Sequence, residues 1–195
     1  MSASSAPQFV LASRSPRRVE LLRGVGYRFE TRPADVVEIA EAGESPEDFA
    51  RRMARTKALT ASGDRALPTL GADTDVSIDG QILGKPRDRT EALAMLTRLA
   101  GRRHRVCSAV ALVQGDAVLE AMSVTEVEFG RIALADAEAY WASGEPADKA
   151  GAYAIQGGAA RWVRAIHGSY TGVVGLPLHE TVELLARAGI ETPRR

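Results

Sequence analysis

Three stretches of this chain combine residue types and spacings that suit phosphate chemistry. The first is Ser13-Arg14-Ser15-Pro16-Arg17-Arg18. Ser15 and Pro16 fit the cap and first position of a helix, but two arginines follow them. Cations then stand against the positive end of the helix dipole, and no carboxylate meets its free N–H groups. A bound phosphate would complete such a start, accepting from helix N–H groups, from the Ser13 and Ser15 hydroxyls and from an arginine fork. The alternative is a solvated basic turn. A second Ser-Pro pair, Ser45-Pro46, is followed by Glu47 and Asp48, which match the dipole and, through Asp48, resemble a capping box. That helix needs no ligand.

Lys57 is the second anomaly. At about 100° per residue, Phe49, Ala50, Met53, Ala54 and Ala61 form one arc with Lys57 near its middle, and Arg51, Arg52 and Arg55 lie opposite. An inward ammonium must either snorkel to an edge or meet an anion in a cleft.

The third stretch is Gly71-Ala72-Asp73-Thr74-Asp75-Val76, followed by a turn and Leu83-Gly84-Lys85-Pro86. With Asp79-Gly80 as a two-residue hairpin turn, Ile78 pairs with Gln81, Val76 with Leu83 and Thr74 with Lys85. This register would set Lys85 beside Asp73 and Thr74. A carboxylate at the end of an apolar strand, next to a lysine, can act as a general base or a Mg²⁺ ligand. Alternatively Asp73, Asp75 and Ser77 face water, with Lys85 in a rim salt bridge.

The sequence lacks the P-loop, the dinucleotide-binding glycine pattern and His-Glu-x-x-His. His104, His167 and His179 are scattered and read as structural or surface residues. No nucleophile elbow is present, and Cys107 falls inside an expected strand, so covalent catalysis is not indicated.

These residues need a scaffold. Residues 9–12 read as a strand leading into a short helix that ends before Gly24 and Gly26. A helix fits 46–62, a strand 67–72, a hairpin 76–83, and a helix the run of Leu93, Leu96 and Leu99 up to Gly101. Two β-rich runs, 106–113 and 118–129, read as antiparallel partners joined through Gly115-Asp116. Helices are expected over 136–143 and from Pro177 through Leu185. Hairpins mixed with helices predict an α/β fold with a mixed sheet.

The 195 residues suit one domain spanning 1–195, and 25 basic residues balance 25 acidic ones. Zero net charge gives no reason to expect a nucleic-acid partner. A lone cysteine allows no intramolecular disulfide and fits a reducing compartment. Residues 1–8 show no signal-peptide pattern, and no run approaches the roughly 20 apolar residues of a membrane span. A cytoplasmic protein is expected.

The ordered set Leu11-Ala12-Ser13-Arg14-Ser15-Pro16-Arg17-Arg18, Gly71-Ala72-Asp73-Thr74, Gly84-Lys85-Pro86, Asp148-Lys149-Ala150-Gly151 and Tyr153-Ala154-Ile155-Gln156-Gly157 covers nearly the whole chain. Ile166-His167-Gly168-Ser169-Tyr170 and Val174-Gly175-Leu176-Pro177-Leu178 complete it. In this order the motifs resemble the Maf family of nucleoside triphosphate pyrophosphatases. The resemblance implies an elongated mixed sheet flanked by helices, with two lobes around a cleft as in the related ITPase-like folds, and a homodimer. It implies cleavage between the α and β phosphates with a divalent metal, Mg²⁺ or Mn²⁺, as a house-cleaning activity. By the same likeness, Asp73 matches the proton acceptor, and Arg17, Thr74 and Gln156 match positions tied to substrate choice. Ser13, Arg18, Glu38, Lys57 and Lys85 match other polar cleft positions. Arg17, Arg18, Lys57 and Lys85 would neutralise the triphosphate, while Asp73 with Glu38 would hold the metal or prepare water.

The Gln156 segment looks like the branch acting on dTTP and UTP, since a neutral amide offers both donor and acceptor to a pyrimidine edge. A cationic 7-methyl-GTP, the substrate of another branch, would favour a carboxylate. Maf proteins have also been linked to septum formation, so a non-catalytic nucleotide-binding regulator is a second reading. One departure from the family is Asp75, at a usually apolar position. Sharing a face with Asp73, it can raise that carboxylate's pKa, recruit a second metal ion, or face solvent inertly.

Overall fold

The computed structural model describes residues 6–63 and 66–192; residues 1–5 of the polar opening lie outside this set. Strands β1 (Phe9–Leu11), β2 (Phe29–Thr31), β3 (Thr69–Ile78), β4 (Gln81–Ile82), β5 (Arg103–Gln114), β6 (Ala117–Phe129) and β7 (Val163–His167) form one mixed sheet. Its order is β2-β1-β3-β5-β6-β7, with β4 beside β3. β1 runs parallel to β2 and β3, and the remaining pairings are antiparallel. Helices α1 (Pro16–Gly24), α2 (Pro46–Ala61), α3 (Arg89–Leu99), α4 (Leu134–Ala142), α5 (Tyr170–Val174) and α6 (Leu178–Arg187) flank the sheet. The expected α/β class with a mixed sheet is observed.

The local signals act as the residue types require. Ser45 Oγ accepts from the Asp48 N–H at 3.1 Å, which closes the cap of α2. Asp79 and Gly80 both adopt positive φ (55° and 73°), as the tight hairpin turn demands.

β3 is one continuous strand, although the sequence suggests a break between residues 72 and 76. β5 pairs with it from Thr69↔Val113 to Ser77↔Arg105 and carries the extended conformation through the polar residues. The expected pairing of Thr74 with Lys85 is not formed. The hairpin holds Ile78 opposite Gln81, and the Leu83 N–H reaches the Val76 carbonyl at 2.8 Å. Gly84 then turns the chain away at φ +55°, and its carbonyl accepts from the Gly151 N–H. β2, β7 and α5 are too short, and too exposed or irregular in composition, to give a periodic signal; β2 is held by parallel pairing to β1.

Apolar side chains gather in two main clusters. One joins Phe9, Leu11, Leu22, Leu70, Ala72, Val110, Leu112, Leu184 and Leu185. The other joins Val76, Ile78, Leu96, Leu99, Val106, Val127, Phe129, Tyr140, Tyr153 and Trp162. β3 passes from the first to the second across Asp73, Thr74 and Asp75. Its polar residues thus occupy the gap between two cores.

Candidate active site

α2 lies on β3 at backbone distance, and glycine makes that approach possible. A Cβ on Gly71 would overlap the Ala54 carbonyl oxygen and come within 2.6 Å of the Ala58 amide nitrogen. Side chains alternate along a strand, so Asp73 and Asp75 share the face of Gly71 beneath the helix. Lys57, next to Ala58, therefore reaches the Asp73 carboxylate and pairs with it. Lys57 is 8 % exposed and Asp73 5 % exposed, so the inward lysine has met an anion and does not snorkel.

Glu38 extends the pair into a chain. Lying in the irregular stretch between β2 and α2, it contacts Lys57 Nζ at 2.6 Å through Oε1 and Lys85 Nζ at 3.0 Å through Oε2. Burial opposes its ionisation, but hydrogen bonds and charge from Lys57, then Lys85, hold the Glu38 pKa down at about 2. Lys85 thus enters the site through Glu38, and the strand register has no part in it.

Asp75 corrects the reading of its face as solvated, for it is 6 % exposed. Burial first, then the Asp73 charge, push the Asp75 pKa well above the ordinary carboxylate range. Its Oδ2 has no hydrogen-bond partner among the described residues.

α1 begins at the other wall. Its first turn has no acidic residue, and the Ser15 side chain makes no cap. Ser13 Oγ accepts from the Ser15 N–H at 3.1 Å. Arg18 donates to the Gly175 and Ala72 carbonyls at 2.7 and 2.8 Å, to Ser13 Oγ at 3.3 Å and to Thr74 Oγ1 at 3.5 Å. Among the described residues four of its five N–H donors find acceptors, so Arg18 ties α1 to β3 and leaves one N–H over. Among the described residues Arg17 donates through Nε alone, to the Val174 carbonyl at 3.3 Å. The Thr74 hydroxyl also meets Ser108 Oγ at 2.7 Å.

All nine residues matched to the family's site positions, Ser13, Arg17, Arg18, Glu38, Lys57, Asp73, Thr74, Lys85 and Gln156, line one cleft of about 960 Å³. Gln156 stands on its rim, exposed. Lys149 joins them as a further cleft cation, paired with Asp148. Its motif was visible in the sequence, but nothing in the spacing placed it in the cleft.

The residues kept out of the chemistry also have physical reasons. Burial, then Glu47, push the Cys107 thiol up to about 11, which leaves it a poor nucleophile at neutral pH. His104 is a core residue bonded through Nε2 to the Tyr153 hydroxyl at 2.8 Å.

Ser13-Arg14-Ser15-Pro16-Arg17-Arg18, the Asp73 strand and the Gln156 loop all line this cleft. The family model described as Maf-like protein matches residues 8–188. The chain belongs to the Maf family. Among its relatives is the dTTP/UTP pyrophosphatase of Methylococcus capsulatus (strain ATCC 33009 / NCIMB 11132 / Bath), 49% identical over 191 residues covering 96% of this chain and 94% of that one. Another is the dTTP/UTP pyrophosphatase of Anaeromyxobacter dehalogenans (strain 2CP-1 / ATCC BAA-258), 48% identical over 192 residues, with 96% and 97% covered. The protein of the same description from Ralstonia nicotianae is 48% identical over 202 residues, with 97% and 98% covered. The matches span 94%, 97% and 98% of these relatives' own lengths.

Proposed function

We propose that this chain hydrolyses dTTP and UTP to the monophosphate and pyrophosphate. The observation that carries the reading is the convergence, in one cleft, of an uncapped basic helix start, the buried Lys57–Asp73 pair with Glu38 and Lys85, and a neutral Gln156 at the rim. Full-length relatives described as dTTP/UTP pyrophosphatases support it.

The chemistry follows from the placement. Arg17, Lys57, Lys85 and the spare N–H of Arg18 neutralise the triphosphate, and Ser13 with the α1 start offers further donors. Asp73 orients a water and accepts its proton as the water attacks the α-phosphorus. The bond from that phosphorus to the α–β bridging oxygen breaks, and pyrophosphate leaves among the cations. Gln156 presents its amide to the pyrimidine edge, with Thr74 and Arg17 shaping the adjoining wall.

Among the described residues no group of three or more His, Cys, Asp or Glu could hold a metal by itself. A hard divalent cation that takes one or two carboxylates and completes its shell with phosphate oxygens still suits the donor set, since the Asp73 and Glu38 carboxylates converge on Lys57 within one cleft. Asp73 and Glu38 would hold Mg²⁺ or Mn²⁺, which would supply charge neutralisation at the phosphates. The proposal takes the chain as one domain over 1–195, cytoplasmic and homodimeric, in keeping with the family likeness; among the described residues no helix is long and apolar enough to cross a membrane.

The test is a panel of nucleoside triphosphates with Mg²⁺, scored for pyrophosphate against orthophosphate. Pyrophosphate release fastest from dTTP and UTP, and abolished by a chelator, is expected. Orthophosphate as the product contradicts the reaction; equal rates on purines contradict the base assignment.

A further inference from the structure

Gln156 is carried on a loop that is gripped from behind. Tyr140 of α4 is buried, its ring edge-on to Trp162 at 5.2 Å. Its hydroxyl donates to Glu145 Oε1 at 2.5 Å and accepts from the Ala154 N–H at 3.0 Å. Glu145 in turn accepts from the Gly158 N–H, 3.2 Å from each of its oxygens. A Cβ on Gly157 would overlap the Glu145 carboxylate, so the loop presses directly on it. The backbone N–H groups two residues before and two residues after Gln156 thus end on one tyrosine–glutamate pair. Tyr153, at the start of the loop, is fixed separately by His104. Tyr153, Ala154, Ile155 and Gln156 line the cleft, whereas Tyr140 and Glu145 do not.

We propose that Tyr140 and Glu145 are positioning residues that set the nucleobase preference by fixing the backbone on either side of Gln156. The proposal rests on the reading that Gln156 addresses the base. A single exposed amide can discriminate between bases only if its backbone is held before the nucleotide arrives; otherwise the ordering cost consumes the selectivity. Bonds to a carboxylate, stronger than neutral ones, suit that purpose.

The experiment compares wild type, Tyr140→Phe, Glu145→Ala and Glu145→Gln. It measures kcat and KM for dTTP, UTP and dGTP, inhibition by pyrophosphate, and amide exchange at Ala154 and Gly158. Tyr140→Phe keeps the ring packing and removes one hydroxyl. It should lower kcat/KM for dTTP and UTP roughly five- to tenfold, mostly through KM, while dGTP hydrolysis and pyrophosphate inhibition move by no more than about twofold. Exchange at both amides should rise. Glu145→Gln keeps an acceptor at the Oε1 position and should retain more of the pyrimidine preference than Glu145→Ala.

A folded Tyr140→Phe with the wild-type dTTP:dGTP ratio overturns the proposal, as does a parallel loss on every nucleotide and on pyrophosphate. If Tyr140→Phe is recovered unfolded, the Glu145 pair decides: equal ratios in the Ala and Gln variants overturn it. A wild-type enzyme without pyrimidine preference contradicts the base reading, and this inference with it. A preference that survives in Tyr140→Phe contradicts this inference alone.

Discussion

Gln156 is exposed and makes no packing contribution to either core, so a change there should alter recognition and leave folding intact. Gln156→Glu replaces a donor–acceptor amide with an acceptor-only carboxylate. The expected outcome is a reduced preference for dTTP and UTP with stability within about 0.5 kcal/mol of wild type. Unchanged nucleotide ratios would remove Gln156 from substrate choice. His104 is the opposite case, 2 % exposed, with Nδ1 unpartnered among the described residues. Burial lowers its pKa to about 4, below the ordinary value of 6.5, so the unfolded chain binds more protons between these limits. The ring's contribution is therefore complete above pH 6.5 and is lost as pH falls toward 4, by up to about 3 kcal/mol. Denaturation of wild type and His104→Phe across pH 4–7 should show a shallower slope in the variant; equal slopes would mean that the ring is not held neutral. At this scale the sequence was informative where a residue broke a local rule. Arg17 and Arg18 at a helix start, and Lys57 on an apolar arc, announce themselves. Glu38 carries no such signal, because its stretch has no periodicity, and it was placed by family likeness alone.

Among elements, the contact of α2 with β3 decides the site. Gly71 lets Ala54 and Ala58 approach the strand, and this approach sets Lys57 over Asp73. Gly71→Ala places a methyl group against backbone atoms, which cannot rotate away as a side chain would. It should destabilise by about 1–3 kcal/mol and lower turnover together with stability, because the helix carrying Lys57 must shift. Chemical denaturation and steady-state assay check both; wild-type stability would mean that the helix stands further off than described. The elements themselves were mostly legible. Capping residues marked α2, Asp79-Gly80 marked its hairpin, and Gly115-Asp116 marked the turn between β5 and β6. The register failed at Gly84, whose positive φ ends the ladder before Lys85 and Thr74 can pair. A hairpin rule extrapolates along a strand, but it cannot see where the partner leaves. The Tyr140–Glu145 grip was equally hidden, since it joins a helix, a short turn and a loop through contacts that no periodicity encodes.

Over the whole molecule, β3 and β5 run through both hydrophobic clusters, and the polar run Asp73-Thr74-Asp75 falls where one core gives way to the other. That arrangement lets a buried carboxylate open onto a cleft without interrupting either core. The α1 start and the Lys149 and Gln156 segments line the same cleft as this acid, so residues separated by more than a hundred positions meet there. Buried charge in such a gap persists only if it is paired, as Lys57 and Asp73 are, and burial beside the Asp73 charge disfavours ionisation of Asp75. In the proposed mechanism Asp73 is the group that directs water at the triphosphate. The most direct measurement is the turnover of dTTP by Asp73→Asn, with folding checked by circular dichroism and thermal denaturation. A folded variant slowed by about 10²- to 10⁴-fold is expected; a folded variant that turns over at a near-normal rate contradicts the mechanism.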